Sequence, residues 1–528
     1  MGGGLMQLVA YGAQDVYLTG NPQITFFKVV YRRHTNFAIE CIEQTFNGTA
    51  DFGRTVTCNI ARNGDLITKM YLKIDLEDTI EGNKYSFVRN LGHAVIQNCK
   101  VEIGGSKIDE QYGDWLNIWE ELAGETSHRR GLDKMIGNTK ELRKYSEKKP
   151  KYTMYVPMKF WFCRNNGLAL PLIALQYHDV RVTFNFLDAN QCISTAHNES
   201  RTDVRFKDAT LLIDYVYLDS EERKRFAQAS HEYLIEQLQY TGEESVNTQN
   251  DRFRLNFNHP CKALYWALKL GKYSSGENVV CLDDEGNVNS EYFAKVLFLA
   301  SRANMSPDGC SSEEGMTTNT GLKGLFAALT SDKVIRGHIV SANSSGKVEC
   351  SLDNVVIIEN NITSSQMSQA TITALAKGND DNTDAVAVLK KFARSMRAPG
   401  NYGLYVDGTQ NPVSSGKLQL NGHDRFATRQ GNYFNYVQPY EHWSNTPSDG
   451  INCYSFALNP EEHQPSGSCN MSRIDNATLL LNFGEPNAKA NDNFAQQWLS
   501  DNTVIQIYTV NYNVLRIMSG MGGLAYSN

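Results

Sequence analysis

The chain has 528 residues, of which 41% are hydrophobic and 21% charged, enough apolar material for two to four folded domains and too much for a disordered protein. Its net charge of −7 argues against nucleic acid as the principal ligand, because binding phosphates requires a basic surface. It contains neither an apolar run of the roughly 18–20 residues that cross a membrane nor a signal-peptide pattern, so we expect an unsecreted, soluble protein.

Residues 1–34 are predicted to form an apolar arm ahead of the first strand. Apolar and aromatic side chains are frequent in it, among them Phe26, Phe27 and Tyr31, and the segment ends on Arg32-Arg33-His34. Such an arm either lies across its own domain or docks on a neighbouring molecule. The residues leave both alternatives open.

Alternation of apolar and polar residues predicts strands with one buried and one polar face, which is typical of antiparallel sandwiches. The clearest runs are Met70 to Leu76, Val180 to Phe186, Phe253 to Phe257 and Val510 to Val514. A composition of 48 Asn, 40 Gly and only 13 Pro, with 10% aromatic residues, suits many short strands joined by turns. The sequence therefore predicts an all-β protein.

Few helices are expected. Asp114 is predicted to cap a short helix in which Trp115, Trp119 and Leu122 recur at helical spacing. Residues 220–231 begin with a serine and an acidic turn directly after a strand, and they predict a connector helix between two halves of the chain.

Features that recur on both sides of this connector predict an internal duplication. Five matches occur in the same order in both halves: Ile42-Glu43-Gln44 with Ile235-Glu236-Gln237, Met70 to Ile74 with Leu264 to Leu268, Gly113 to Leu116 with Gly431 to Phe434, Phe160 with Phe456, and Phe186 with Phe483. Their offsets are 193, near 194, 318, 296 and 297. They predict one domain used twice, with an insertion of roughly 120 residues at about 273–415 of the second half.

No pattern of catalytic or ligand-binding residues is found. The eleven cysteines are scattered and never spaced C-x-x-C, which indicates reduced thiols rather than a metal site or a disulfide framework. Nucleotide-binding, hydrolase and zinc-protease motifs are missing, so we predict no catalytic, cofactor-binding or metal-binding residue and no enzymatic activity. A carboxylate pair contributed by distant strands, as in glycoside cleavage, stays open. Three N-x-[ST] sequons in the insertion are candidate glycosylation sites: Asn304, Asn343 and Asn361.

Long runs of the sequence resemble the major capsid proteins of nucleocytoplasmic large DNA viruses, especially the mimivirus-like group. The runs are Gly4 to Phe27, Gly104-Gly105 with Ile108-Asp109, Tyr112-Gly113 with Trp115-Leu116, Gly467 to Ala477, and Asn513 to Ala525. They cover both ends and the first half of the chain, whereas the insertion at about 273–415 matches nothing in the family pattern.

The resemblance implies two tandem eight-stranded antiparallel jelly rolls with few short helices and long loops in the second. It implies a domain division into an N-terminal arm at 1–34, a first jelly roll at 35–219, the connector helix at 220–231, a second jelly roll at 232–517 and a C-terminal tail at 518–528. The family has no catalytic residues to carry over. Its insertion projects outward and is often glycosylated, and its arm lies on the inner side of the shell.

By the same resemblance, the protein is a structural subunit of an icosahedral virus shell, and it forms pseudo-hexagonal homotrimers that tile the capsid. The expected partners are neighbouring capsomers, minor capsid or cement proteins, and an internal membrane contacted by the arm, with no sequence-specific nucleic acid. The expected location is the virion, after assembly in the host cytoplasm. Composition alone also allows an alternative function, a carbohydrate-binding or carbohydrate-active β-sandwich protein.

Overall fold

The computed structural model describes residues 3–79, 82, 85–144, 146–195, 201–271, 398–403, 410–484 and 502–526, together with five short strands between 277 and 396. Most of the predicted insertion lies outside the described residues. So do the three candidate glycosylation sites, Asn304, Asn343 and Asn361.

The first half of the chain is built from antiparallel strands. They are β1 (Phe37–Thr45), β2 (Thr55–Asn59), β3 (Leu66–Leu76), β4 (Tyr85–Phe87), β5 (Ile96–Ile103), β6 (Ser106–Tyr112), β7 (Tyr152–Pro157), β8 (Leu170–Pro171), β9 (Val180–Phe186), β10 (Ile193–Thr195) and β11 (Phe206–Leu218). Eight of them form the main paths of two sheets, in the orders β1-β11-β3-β7 and β2-β9-β5-β6, and the short β8 pairs with β3 as a fifth strand of the first sheet. Numbered along the chain, these orders are first, eighth, third, sixth and second, seventh, fourth, fifth, which is the jelly-roll arrangement.

The second half repeats this arrangement. Its strands are β12 (His231–Ser245), β13 (Asn250–Arg254), β14 (Pro260–Lys269), β15 (Glu277–Val279), β16 (His338–Ala342), β17 (Val348–Leu352), β18 (Val355–Glu359), β19 (Arg394–Met396), β20 (Val413–Leu420), β21 (His423–Asp424), β22 (Arg429–Gln430), β23 (Ile451–Ser455), β24 (Cys469–Asn470), β25 (Ala477–Phe483), β26 (Val504–Met518) and β27 (Met521–Leu524). The sheets run β12-β26-β14-β23 and β13-β25-β20-β21, the same strand order as in the first half. Two tandem eight-stranded jelly rolls, as predicted, are therefore the fold of the chain.

The helices of the described residues are short. They are α1 (Gly3–Val9), α2 (Val16–Thr19), α3 (Leu91–Ala94), α4 (Gly113–Ala123), α5 (Arg129–Met135), α6 (Lys140–Arg143), α7 (Trp161–Arg164), α8 (Ser220–Gln228) and α9 (Gln438–His442), which directly follows a π-helix, Tyr433–Val437. In chain order, helix α8 follows the last strand of the first jelly roll and precedes the first strand of the second, at the position where a connector helix is predicted. The predicted cap of α4 is wrong: Tyr112 is the N-cap residue, while Asp114 lies in the first turn and directs its carboxylate to the second jelly roll.

The alternating pattern of β3 is confirmed, since Met70, Leu72, Ile74 and Leu76 are buried and the residues between them are partly exposed. The prediction for β26 is wrong on one face, because Asn511 and Asn513 are as buried as the apolar residues that alternate with them. Both asparagines lie on the side of β26 that carries Ile507, which faces the core of the second jelly roll, and not on the side of Tyr508 and Val510. Asn511 donates to the carbonyl oxygen of Asn258, and Asn513 donates to the Gln237 side chain. The alternating pattern of β26 therefore shows which residues are polar, but it does not show which of them are exposed to solvent.

The strand registers test the duplication residue by residue. Leu72 pairs with Val156 in the first jelly roll, and Trp266 pairs with Asn452 in the second, so the corresponding positions differ by 194 and 296. In the other sheet of the first jelly roll, Ile96 pairs with Phe186. In the corresponding sheet of the second, Val413 pairs with Phe483, so Phe186 and Phe483 are counterparts at an offset of 297. The predicted offsets near 194, 296 and 297 are confirmed.

One predicted match is out of register. Ile42 pairs with Ile213, and the counterpart of Ile213 is Thr509, which pairs with Gln239. The counterpart of Ile42 is therefore Gln239, at an offset of 197, and not Ile235. Strands β1 and β12 do correspond, as predicted. The recurring tripeptide does not fix how the two strands align, and relying on it placed the match four residues away from the true counterpart.

The match of Gly113 with Gly431 reflects a shared steric constraint. A Cβ atom on Gly113 would lie 2.3 Å from the carbonyl oxygen of Ile96, and a Cβ atom on Gly431 would lie 1.8 Å from that of Val413. Ile96 and Val413 are the first residues of the corresponding strands β5 and β20. At both places a helical segment begins against the start of a strand, and only glycine fits there.

We expect Gly431→Ala to destabilise the protein by at least about 1–3 kcal/mol, because the added methyl group meets main-chain atoms that have no rotamer by which to move away. Gly131→Ala is the matched control, since Gly131 lies inside α5 with open space around the added atom. Unfolding by urea should show a lower midpoint for Gly431→Ala and an unchanged or higher midpoint for Gly131→Ala. Equal midpoints for Gly431→Ala and wild type would contradict the steric argument.

Candidate interaction surfaces

Three surfaces of the described residues carry features that a single folded chain does not by itself require. They are the contact between the two jelly rolls, the outer face of the first β1-β11-β3-β7 sheet, and the N-terminal arm. Among the described residues, no group of three His, Cys, Asp or Glu side chains is arranged to hold a metal ion. In the same part of the chain, every helix is too short or too polar to cross a bilayer.

The contact between the jelly rolls, here called the domain seam, is centred on α4. Residues Trp115, Ile118, Trp119 and Leu122 lie on one face of this helix, at the spacing of an amphipathic helix, and all four are buried. They pack on the outer face of the β12-β26-β14-β23 sheet, against a set that includes Ala263, Tyr265, Ala267, Tyr508 and Val510. The Trp115 ring meets the ring of Tyr265 edge to face, with 4.9 Å between the centroids.

Polar groups hold both ends of α4 to the second jelly roll. At the first turn, the Asp114 carboxylate accepts from Lys269 Nζ at 3.2 Å and from Gln506 Nε2 at 2.9 Å. Near the last turn, the Glu121 carboxylate accepts from the main-chain N–H of Ser448 at 2.8 Å. These bonds fix the position of the helix along the sheet as well as its contact with it.

A buried charge cluster crosses the seam beside α4. Glu236 lies 2.7 Å from Arg164 Nη1 of the first jelly roll and 2.8 Å from Lys262 Nζ of its own sheet, and His463 Nδ1 is 3.4 Å away. Burial opposes the ionisation of Glu236, but Arg164, His463 and Lys262 outweigh it and lower the pKa of Glu236 to about 2. The Arg164 guanidinium also stacks over the Trp119 ring, 4.1 Å from its centroid.

A second buried carboxyl group at the seam has the opposite shift. Asp109 Oδ1 accepts the main-chain N–H of Leu238 at 3.0 Å, and the Gln237 side chain donates to the carbonyl oxygen of Ile108. Burial raises the pKa of Asp109 to about 7, and the hydrogen bonds it accepts, led by that from the main-chain N–H of Leu238, compensate only partly. Asp109 therefore titrates in the neutral range.

The end of the chain also contacts the first jelly roll. Strand β27, within the predicted tail, pairs with β26, and the turn between them brings the Gly520 carbonyl oxygen to the main-chain N–H of Tyr177 at 3.0 Å. Added Cβ atoms on Gly520 and Gly522 would lie 2.6 and 2.7 Å from the side chains of Tyr177 and Leu175. The glycines thus permit close packing of this hairpin on the first jelly roll.

No described residue outside the sheet buries the corresponding face of the first jelly roll's own sheet. This open face carries the outward side chains of β1, β3 and β11, including Cys41, Lys69, Tyr71, Lys73 and Asp214, and all of them are exposed or half-buried. A cavity of about 1400 Å³ adjoins it, lined by Lys69 and Tyr71 together with residues of the 119–135 segment and of the second jelly roll.

The N-terminal arm buries none of its side chains in the described residues 3–36. Helices α1 and α2 contain no buried residue, and Tyr17 and Phe27 are 93% and 98% exposed. Of the two alternatives for the arm, docking across its own domain is therefore wrong for the single chain. The arm carries Lys28, Arg32 and Arg33 against one acidic residue, Asp15, so its charge is opposite in sign to that of the whole chain.

Sequence reasoning missed the domain seam, although a signal for it was present. Strand β14 reads Cys-Lys-Ala-Leu-Tyr-Trp-Ala-Leu-Lys from Cys261, almost without alternation, whereas β3 alternates Lys69, Tyr71 and Lys73 with apolar residues. A nearly continuous apolar strand in an antiparallel sandwich indicates that both faces are covered. Nothing in the sequence paired Asp109 or Glu236 with partners in the other half of the chain.

Comparison with known proteins places both halves in one family. A family model described as large eukaryotic DNA virus major capsid protein matches residues 222–523, and one described as major capsid protein N-terminus matches residues 25–219. Capsid protein 1 of Acanthamoeba polyphaga mimivirus and the major capsid protein of Phaeocystis pouchetii virus are each 42% identical to the chain over the full length of both proteins. The major capsid protein of Paramecium bursaria Chlorella virus 1 is 37% identical, also over both full lengths.

Solved structures agree with the fold. The crystal structure of PBCV-1 VP54 matches with a TM-score of 0.63 at 33% identity, and it covers 96% of this chain and 100% of that chain. The Faustovirus major capsid protein matches with a TM-score of 0.60 at 12% identity, over 96% of this chain and 94% of its own, and this likeness concerns the fold alone.

The two carboxyl groups at the seam predict a pH dependence of stability. Because folding raises the pKa of Asp109 from 3.8 to about 7, its contribution is fully present at low pH and is lost as the pH rises through 7. Asp109→Asn keeps an oxygen acceptor for Leu238 but does not titrate. Relative to this variant, the wild type should lose up to about 1.4 kcal/mol of unfolding free energy per pH unit between these pKa values.

Urea unfolding of both proteins at several pH values between 5 and 8 measures this difference, and the other carboxylates cancel in the comparison. Stability curves that stay parallel across the range would contradict the assignment of Asp109. Glu236, with its lowered pKa, contributes nothing to the change in this range, since its stabilisation is present above pH 4.5 and is lost only as the pH falls towards 2.

Proposed function

The chain belongs to the family of large eukaryotic DNA virus major capsid proteins, and from this premise we propose that three copies associate into a pseudo-hexagonal capsomer that tiles an icosahedral shell. As a capsid protein it is a structural component of the virion and not an enzyme. The sequence allowed two functions, a capsid subunit and a carbohydrate-binding protein. Membership of this family identifies the capsid subunit as the correct one.

One observation carries the trimer proposal. The outer face of the second jelly roll's sheet is buried by α4 of the first, whereas the same face of the first jelly roll's sheet is open. A contact between unlike surfaces of two similar domains can be repeated head to tail from one domain to the next. The repetition gives a closed ring when the rotations between successive domains add up to a full turn. Three chains of two jelly rolls supply six similar positions, so in a ring every sheet face would be covered.

Further partners follow from the same role. We propose contacts between neighbouring capsomers, with minor capsid or cement proteins, and between the arm and an internal membrane, with assembly in the host cytoplasm. The exposed aromatic side chains of the arm and its excess of basic residues support an anionic membrane surface as its partner. The division into segments 1–34, 35–219, 220–231, 232–517 and 518–528, and glycans on Asn304, Asn343 and Asn361, stay proposals of the same kind.

Size-exclusion chromatography with light scattering tests the capsomer directly. The purified full chain should elute as one species with a mass three times 59.3 kDa, because a ring of six jelly rolls leaves no sheet face open. The mass should stay constant on dilution through the micromolar range. A monomer at every concentration, or a dimer, would overturn the proposal.

Deletion of residues 1–30 tests the role of the arm. Because these residues bury no side chain in the chain itself, the deletion should leave the unfolding midpoint and the trimer unchanged. It should abolish co-sedimentation of the trimer with vesicles that contain phosphatidylserine, and it should impair shell assembly in infected or co-expressing cells. Loss of the trimer on deletion would show that the arm belongs to the contact between subunits instead.

A further inference from the structure

We propose that the open face of the first jelly roll binds the helical segment Tyr433–His442 of a second copy of this chain. This segment, here called the docking helix, consists of the π-helix Tyr433–Val437 and α9. The inference rests on the proposed trimer and adds which surfaces meet in it. Both surfaces are identified from the domain seam inside one chain, which serves as the template.

The docking helix occupies in the second jelly roll the place that α4 occupies in the first. Each comes after the fifth strand of its jelly roll, which is β6 in the first and the two-residue β21 in the second. The helical backbone begins at a glycine that lies against the start of the fourth strand, at Gly113 in α4 and at Gly431 just before the docking helix. The offset of 318 between these glycines therefore assigns a counterpart on the docking helix to each residue of α4 that packs at the seam.

The counterparts of three buried seam residues are exposed apolar or aromatic side chains. Ile118, Trp119 and Leu122 of α4 are 0%, 6% and 0% exposed, and their counterparts Tyr436, Val437 and Tyr440 are 39%, 41% and 86% exposed. Exposed aromatic residues on a helix are unusual on a free surface and typical of contacts between proteins. The docking helix thus presents, without a partner, the same positions that α4 buries.

The receiving surface is assigned in the same way. The seam residues Ala263, Tyr265, Ala267 and Val510 have the counterparts Lys69, Tyr71, Lys73 and Asp214 on the open face. The central tyrosine is kept in both jelly rolls, while the small or apolar residues around it are replaced by charged ones. A surface that is exposed before assembly has to remain soluble, and charged residues around an aromatic centre satisfy that requirement.

The two surfaces of the proposed contact carry side chains that can pair. The cavity beside the open face has a lining of mixed charge, in which Lys159 is paired with Glu120, and Lys69 lies beside Tyr71 where the cavity meets the open face. The docking helix offers the exposed Tyr440 ring and the Glu441 carboxylate. Cations attract both the face of an aromatic ring and a carboxylate, and the phenol is the largest exposed group on the helix.

The test uses the full chain with Val437→Lys and Tyr440→Lys combined, and Tyr440→Phe as the conservative control. Both substituted side chains are exposed in the single chain, so folding should not suffer, and the unfolding midpoint checks this. Two ammonium groups in place of apolar contact side chains would lose water in the contact and lie near Lys69 and Lys73 of the open face. They should abolish the trimer by light scattering at concentrations where wild type and Tyr440→Phe are fully trimeric.

Alkylation of Cys41 gives a second readout on the receiving surface. Cys41 is an exposed thiol of the open face, and its counterpart Leu238 packs against the seam cluster. Peptide mass spectrometry after maleimide treatment should find Cys41 protected in the wild-type trimer and modified in the dissociated lysine variant.

The outcomes separate this inference from the proposed function. A trimeric wild type whose lysine variant also stays trimeric would overturn the docking helix and leave the trimer intact. A monomeric wild type would overturn the trimer and, with it, this contact. A trimer in which Cys41 becomes reactive only after deletion of residues 1–30 would show that the arm, and not the docking helix, covers the open face.

Discussion

The structure depends on burial of the outer face of the second jelly roll's sheet beneath α4. In most antiparallel sandwiches one face of a sheet meets the core and the other meets water. Here Leu264 and Trp266 point into the core, and Ala263 and Tyr265 between them are equally buried from the opposite side. Because neither face of β14 tolerates water, the two jelly rolls cannot separate without exposing an apolar sheet. Their relative position follows from this constraint.

Other contacts of the seam add specificity to that burial. Lys262 pairs with one oxygen of the buried Glu236 carboxylate, and Arg164 of the first jelly roll pairs with the other, so separating the domains removes a cation from a buried charge. The hairpin of β26 and β27 closes a second contact at the other end, where glycines allow the approach. A chain held in this way behaves as one building block with two similar domains, which is what a tile of near-hexagonal outline requires.

The sequence predicted the fold well where a strand faces one core. Alternation identified β3 and β9, and the ordered matches revealed the duplication, because both signals arise from local burial that every jelly roll shares. It failed where polar side chains are buried by hydrogen bonds within the second jelly roll. Asn511 and Asn513 looked like a solvated face, and the register of Ile42 was misplaced by four residues, since pairing between distant strands is not recorded in a tripeptide. The interaction surfaces were predictable only in part, as the arm was recognised from its composition while the seam required the second domain to be placed on the first.

The matching outer sheet faces of the two domains differ in composition, as their surroundings differ. The face that is covered within the chain is apolar around Tyr265, and the matching face around Tyr71 is charged, so a permanent contact and one formed after folding have different compositions. A cryo-EM reconstruction of the purified capsomer at side-chain resolution tests this account most directly. It should show the Tyr440 ring of one copy packed on the face around Tyr71 of the next, repeated three times in a closed ring. A capsomer in which that face is open to solvent, or is covered by any other segment, would contradict the account.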